Sequence, residues 1–249
     1  MLDRFRLDGR CAIVTASSRG IGAASAVALA GCGADVVLAA RTMGDLEEVA
    51  AGVEATGRRA VPVCCDLSDL ASLPLLVDAA MSTFGRLDVL VNNVGGTAPR
   101  PYLATTPGYL ERAFHFNVTV AFELSKLAVP LLLESGSGSI VNVSSAMARL
   151  SDRGFVAYGT AKAALSHLTR LMAVDLGPRI RVNAVAPGTI ETAAVAGFLD
   201  DAMREKMADA TPLRRLGTPE EIADAIVYLA GAEFVTGTVL TIDGGLTAA

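Results

Sequence analysis

Seven apolar runs recur along the chain: "CAIVT", "ADVVLAA", "RAVPVCCD", "LDVLVNN", "GSIVNVSS", "IRVNAVAP" and "TVLTID". None alternates polar with apolar residues. A strand that is apolar on both sides must be covered on both sides, which is the habit of a parallel sheet sandwiched between helices. Helical stretches fall between the runs, near 20–32, 44–56, 68–84, 105–134, 155–177 and 218–231. The last carries a start signal, with Thr218 as cap, Pro219 in the first turn and Glu221 completing a capping box. Strand and helix alternating in this way predict an α/β fold, a doubly wound parallel sheet of about seven strands.

The chain has 249 residues, of which 52% are hydrophobic, ample for one large core. No linker or repeat interrupts it, so residues 1–249 are expected to form one domain. Residues 190–216 break the alternation and are expected to be a substrate lid. In it, Phe198, Leu199, Met203 and Met207 have roughly helical spacing and together would make an apolar cover. A net charge of -5 without a basic block excludes nucleic acid as a partner. The start "MLDRFRLDGR" lacks the apolar centre of a signal peptide, and the longest apolar runs fall short of a membrane span. Cys11, Cys32, Cys64 and Cys65 have no zinc-like spacing with either histidine and read as reduced thiols, so no metal is expected and the location expected is cytoplasmic. Neither His115 nor His167 is assigned a catalytic role.

Three short motifs carry chemistry. "TASSRGIG" lies between the first strand and the first helix, where Ser17, Ser18, Arg19, Gly20, Ile21 and Gly22 would cradle a pyrophosphate at the helix N-terminus. In "YGTAK", Tyr158 and Lys162 are four residues apart on a helical stretch and share one face. An ammonium close to a phenol would lower its pKa from about 10, making it useful as an acid or base. Ser145 ends the strand "VNVSS", where its hydroxyl can meet that of Tyr158 across the mouth of the sheet.

Taken together, "TASSRGIG", "CDLSD", "LVNNVG", "FHFNV", "VNVSS", "YGTAK", "NAVAPGTIET" and "IDGG", in that order, resemble the short-chain dehydrogenase/reductase family in its short single-domain form. The nearest flavours are similar to 3-oxoacyl-[acyl carrier protein] reductases and carbonyl reductases. The resemblance covers nearly the whole chain and implies roles residue by residue. Ser145 would bond the substrate oxygen, Tyr158 would exchange its proton, and Lys162 would hold the nicotinamide ribose and lower the pKa of Tyr158. Asn117 would help hold a water beside the lysine. Asp66 and the Leu67 backbone would meet the adenine, and Asn93 and Gly95 would line the cleft. Pro187, Gly188, Ile190 and Thr192 would cover the nicotinamide. Two departures bear on the site: Ala16 stands where the first loop glycine is usual, and Val94 where alanine is. Alanine is acceptable at the turn if its φ is negative.

The resemblance implies a nicotinamide cofactor, and two arginines bear on which one. The second strand ends in Ala40, where an acidic residue would bind the ribose hydroxyls of NAD. Arg41 follows, and Arg19 lies in the phosphate loop; a guanidinium fork suits a 2′-phosphate. NADP(H) is favoured over NAD(H). The expected activity interconverts a small-molecule ketone or 3-oxoacyl group and a secondary alcohol. The alternatives are an NAD-dependent alcohol dehydrogenase, a catalytically silent NADP(H)-binding regulator and a structural subunit. The helix around "YGTAK" is apolar over most of its circumference, which with the apolar C-terminus predicts a homotetramer or a homodimer.

Overall fold

A computed structural model describes residues 5–192 and 200–248. Among them, β1 (Cys11–Thr15), β2 (Asp35–Ala40), β3 (Ala60–Cys64), β4 (Val89–Asn92), β5 (Gly138–Val143), β6 (Ile180–Pro187) and β7 (Val239–Ile242) form one sheet in the order β3-β2-β1-β4-β5-β6-β7. Every neighbouring pair is parallel. The helices are α1 (Gly20–Gly31), α2 (Met43–Glu54), α3 (Pro74–Phe84), α4 (Pro107–Phe114), α5 (Val120–Ser135), α6 (Val156–Leu176), α7 (Asp201–Asp209) and α8 (Pro219–Gly231).

The unbroken apolar runs are explained by two cores. Ala12, Val14, Val36, Leu38, Val89 and Val91 point to one face, against Leu29 of α1, Leu46 of α2 and Ile226 of α8. Their strand neighbours Cys11, Ile13, Val37, Ala39 and Leu90 point to the other, against Leu76 of α3 and Leu124 and Leu132 of α5. Each such leucine is fully buried, worth about 2 kcal/mol apiece in apolar transfer. Packed among these side chains, Cys11 has its thiol pushed up to about 12, mainly by burial, so it stays protonated.

Helix boundaries follow local chemistry. Thr218 and Glu221 close the capping box at α8, with Pro219 inside the first turn. α3 begins at Pro74 rather than near residue 68, because a proline lacks the N–H that an earlier start would use; the preceding Leu70–Ser72 is a 3₁₀ turn. The stretch expected as one helix over 105–134 is α4 and α5 joined by a π-helical turn, His115–Thr119. The whole run, Pro107–Ser135, is long and apolar enough to cross a membrane by length and composition. Here its Leu124, Ala128 and Leu132 are spent on the sheet. Residues 190–216 contain a helix of their own, α7, capped by the Asp200 carboxylate on Met203 N–H. Met203 is exposed and Met207 half-buried there; Phe198 and Leu199 lie outside the described residues.

The strand order places the site. From β1 the chain moves to β2 on one side; from β4 it moves to β5 on the other. Connections therefore diverge above the carboxyl ends of β1 and β4, leaving a crevice at the point where the winding reverses.

Candidate active site

A cleft of about 350 Å³ opens at that point, lined on one wall by Ala16, Arg19, Gly20 and Ile21 and on the other by Ser145, Tyr158 and Lys162. Asn93 and Gly95 form its floor, and Pro187, Gly188, Ile190 and Thr192 close it from the β6 side. The remaining expected residues stand around it. Gly22 lies behind the loop. Ser17 is buried and ties the loop to β2, its hydroxyl accepting from Ala39 N–H at 2.9 Å. Ser18 is half-buried beside it. Arg41, Asp66 and Leu67 follow the ends of β2 and β3, and Asn117 sits in the π turn.

The N-terminus of α1 suits a phosphate. Its cap residue, Arg19, is extended and gives no side-chain cap bond, and its first turn holds no acidic residue. Such unsatisfied N–H groups favour an anion. Gly22 has to be a glycine: a Cβ there would run into the Ala16 carbonyl and lie 2.6 Å from Asn93 Nδ2. The crowding is with the loop itself and with the Asn93 side chain.

Ala16 departs from expectation. Its φ is +50°, in the left-handed region, not negative. The peptides on both sides are pinned. Asn93 Nδ2 donates to the carbonyls of Thr15 (3.1 Å) and Ala16 (3.2 Å), and Ser17 N–H donates to the Ala39 carbonyl at 3.1 Å. An alanine held there costs about 1 kcal/mol. Ala16→Gly is therefore expected to raise stability, by up to about 1 kcal/mol after the entropy of a more flexible unfolded chain is deducted. Gly22→Val should lower it by about 1–3 kcal/mol. Urea midpoints of the two variants decide it; an Ala16→Gly variant less stable than the parent would contradict the strain.

Tyr158 and Lys162 lie on α6 and Ser145 caps the short helical turn after β5. Lys162 is buried, and its Nζ donates to the Val143 carbonyl at 2.8 Å, 5.8 Å from the centre of the Tyr158 ring. Burial brings the ammonium down to about 7. Burial also raises the Tyr158 phenol, while the Ser145 hydroxyl acts in the opposite direction. The expected lowering of Tyr158 by Lys162 is not found: burial raises the phenol, and the ammonium is turned to the Val143 carbonyl.

Asn117 is buried. Its Oδ1 accepts from Gly96 N–H at 2.9 Å and its Nδ2 donates to the Ala113 carbonyl at 2.8 Å. A Cβ on Gly95 would lie 2.5 Å from Lys162 Nζ and 2.8 Å from Asn117 Oδ1, so a bare backbone at 95 is what lets these two groups approach. Asp66 is exposed. Its carboxylate accepts from Ser68 N–H and Oγ, and these bonds hold it below the usual carboxylate range. His115 contacts the Ser68 carbonyl through Nε2, and His167 is exposed on α6.

Sequence reading missed the frame beneath these groups. Ser144 Oγ meets Ser166 Oγ at 2.7 Å and donates to the Lys162 carbonyl at 3.0 Å, fixing α6 to β5. Asn92 Nδ2 donates to Asn142 Oδ1 and Ser125 Oγ, and Asn142 Nδ2 donates to Thr169 Oγ1, a buried ladder joining β4, β5, α5 and α6. Thr15 Oγ1 accepts from Asn93 N–H at 2.8 Å and so bridges the crevice.

The family described as Enoyl-(Acyl carrier protein) reductase matches residues 15–247. With a Ser, Tyr and Lys converging on one cleft, that match decides the family. The chain is a short-chain dehydrogenase/reductase. An uncharacterized oxidoreductase of Mycobacterium tuberculosis (strain CDC 1551 / Oshkosh) is 53% identical to it, over 99% of this chain and 95% of the relative. The 7alpha-hydroxysteroid dehydrogenase of Escherichia coli (strain K12) is 39% identical, over 98% of this chain and 96% of the relative. A solved 7 alpha-hydroxysteroid dehydrogenase, complexed with NADH and 7-oxo glycochenodeoxycholic acid, superimposes with a TM-score of 0.94 at 38% identity, covering 98% of this chain and 97% of its own. This short-chain dehydrogenase/reductase is accordingly an oxidoreductase of hydroxyl and keto groups that uses a nicotinamide cofactor.

Proposed function

We propose that this reductase is a single-domain, NADP(H)-dependent enzyme interconverting a ketone or 3-oxoacyl group and a secondary alcohol, in the cytoplasm. The observation that carries the chemistry is the meeting of Ser145, Tyr158 and buried Lys162 on one wall of the cleft. The bound nicotinamide supplies hydride in reduction and accepts it in oxidation. Ser145 Oγ donates a hydrogen bond to the substrate oxygen and orients it. Tyr158 Oη gives that oxygen its proton, or takes it in the oxidative direction. Lys162 Nζ holds the nicotinamide ribose, and Asn117 helps keep a water beside it. Ser17, Ser18, Arg19, Gly20, Ile21 and Gly22 hold the pyrophosphate, Asp66 and Leu67 the adenine, and Asn93 and Gly95 the floor. Pro187, Gly188, Ile190 and Thr192 cover the nicotinamide, and residues 190–216 serve as the lid.

The choice of NADP(H) rests on the end of β2. Ala40 leaves no carboxylate to bind ribose hydroxyls or repel a phosphate. Arg41 is exposed there, where its charge is felt by the Asp66 carboxyl, and Arg19 is exposed on the phosphate loop. A charge-assisted bond is worth roughly 1.5–3 kcal/mol. The low end suits an exposed contact, so Arg41→Ala should weaken NADPH about tenfold or more and leave NADH nearly unchanged. The preference should shrink as salt rises. Dissociation constants for both cofactors, in parent and variant at two salt concentrations, test this; tighter NADH binding by the parent overturns it. NAD(H) is the second reading, because the solved 7 alpha-hydroxysteroid dehydrogenase carries NADH.

A homotetramer, with a dimer as the fallback, accounts for apolar side chains left exposed on the long helices: Phe122 on α5 and Leu171 and Val174 on α6. Light scattering at micromolar concentration tests it, and a clean monomer rules it out.

A further inference from the structure

The turn after β7 joins two parts of the proposed site that are far apart in sequence. Asp243 is the first residue beyond β7, and its carboxylate is an internal cap. Oδ1 accepts from Gly245 N–H at 2.9 Å and Oδ2 from Thr247 N–H at 2.8 Å. Its backbone carbonyl accepts from Leu246 N–H at 3.2 Å. Partial burial pushes this carboxyl up, but the Thr247 hydroxyl, with the N–H groups of Thr247 and Gly245, outweighs it, so it stays ionised.

One side of the turn backs the nicotinamide cover. Gly188 N–H donates to the Ile242 carbonyl at 3.0 Å. A Cβ on Gly188 would lie 2.8 Å from both Cα and Cβ of Asp243. The Pro187–Gly188 backbone therefore rests directly on Asp243, with no side chain between. The other side of the turn holds the end of residues 190–216. Leu213 N–H donates to the Gly244 carbonyl at 3.2 Å, and a Cβ on Gly244 would meet Thr211 Cγ2 at 2.5 Å. Thr211 in turn closes α7, its Oγ1 donating to the Met207 carbonyl. A cavity of about 400 Å³ lies between these parts, bordered by Ile190, Pro212, Gly217, Ile242 and Asp243. A shift of the turn has room to occur and would move Gly188.

We propose that Asp243 is a positioning residue: by fixing the 243–247 turn it sets the Pro187–Gly188 backbone against the nicotinamide half of the cofactor. The proposal rests on the assignment of that backbone to the nicotinamide. Asp243 touches neither cofactor nor substrate in this account. It acts through Gly188, and so its loss should be felt at the nicotinamide end of the cleft and not at the adenosine end, which is held by α1, β2 and β3.

The test separates the two ends. Dissociation constants are measured for NADPH and NADH, and for 2′-phospho-ADP-ribose and ADP-ribose, the matching fragments without nicotinamide. Asp243→Ala should weaken the preferred reduced cofactor about tenfold, because two charge-assisted supports are lost, and its fragment less than about twofold. Asp243→Asn, which keeps one acceptor, should fall between parent and Ala. Its milder loss leaves the fold intact, so the Asn variant stays informative if the Ala variant does not fold. Equal losses of cofactor and fragment, or no loss in either variant, overturn the positioning role. If the parent binds a cofactor no more tightly than its fragment, the nicotinamide assignment fails first, and the proposal with it.

Discussion

Tyr158→Phe should reduce ketone turnover by roughly 100- to 10,000-fold, the range of general acid–base contributions, while leaving fold and cofactor affinity close to those of the parent. Only the proton donor is removed. The ring keeps its edge contact with Phe155 at 6.3 Å between centres. Lys162 keeps its bond to the Val143 carbonyl, which does not involve the phenol. The variant should therefore bind NADPH within about twofold of the parent and lose at most about 1–2 kcal/mol of stability, since the Ser145 hydroxyl loses its phenol partner but keeps its bond from Met147 N–H. Steady-state kinetics with an active ketone and cofactor titration check both halves. Near-parental turnover in the Phe variant would remove Tyr158 from the proton transfer.

Lys162→Met should abolish turnover and yet stabilise the cofactor-free protein at neutral and acid pH. The ammonium is brought from 10.5 down to about 7 by burial. Between those values the unfolded chain holds a proton that the folded chain does not, so this group makes stability rise as pH rises from about 7 to about 10.5. Below about 7 both states hold the proton, and the folded state bears the whole cost of charging a buried amine. That cost is on the order of 4 kcal/mol, reduced by the bond to Val143 that methionine cannot make. Urea unfolding of parent and variant at pH 6, 8 and 10 measures the difference. The Met variant should lead by a few kcal/mol at pH 6, and the gap should close towards pH 10. Titration of Cys11 affects both proteins alike and cancels. A gap that does not change with pH would show that Lys162 is not held against its own ionisation.

Much of the fold was legible because both faces of the sheet are covered. Unbroken apolar runs announce such strands directly, and all seven fall where the runs lie. Helix α7 was only partly legible: Met203 and Met207 carry helical spacing, but the segment after the Asp200 cap is otherwise mostly polar, so the sequence marked a cover there and no helix. The π turn around Asn117 was also hidden: inserting one residue into a helical turn leaves no mark in a sequence that remains helical on both sides.

The doublets were only half read. In a strand, adjacent side chains point to opposite sides. Of "NN", Asn93 reaches the cleft and Asn92 the buried ladder; of "SS", both border the cleft, and Ser144 also clamps α6 through its hydroxyl. Period two would have assigned Asn92, the last residue of β4, to the frame; Ser144 and Ser145 lie past the end of β5, where alternation no longer holds. The conformation of Ala16 could not be read in this way. Nothing in "TAS" reveals that Asn93, far along the chain, grips two consecutive carbonyls and turns the residue left-handed.

The catalytic role of the cleft is tested most directly by following nicotinamide absorbance with a panel of ketones, 3-oxoacyl thioesters and secondary alcohols, each with NADPH, NADH and their oxidised forms. The site predicts reduction of at least one ketone or 3-oxoacyl substrate, oxidation of the matching secondary alcohol, and a higher kcat/KM with NADPH than with NADH. Tight binding of NADPH with no turnover of any carbonyl or alcohol would contradict it and leave a cofactor-binding regulator in its place.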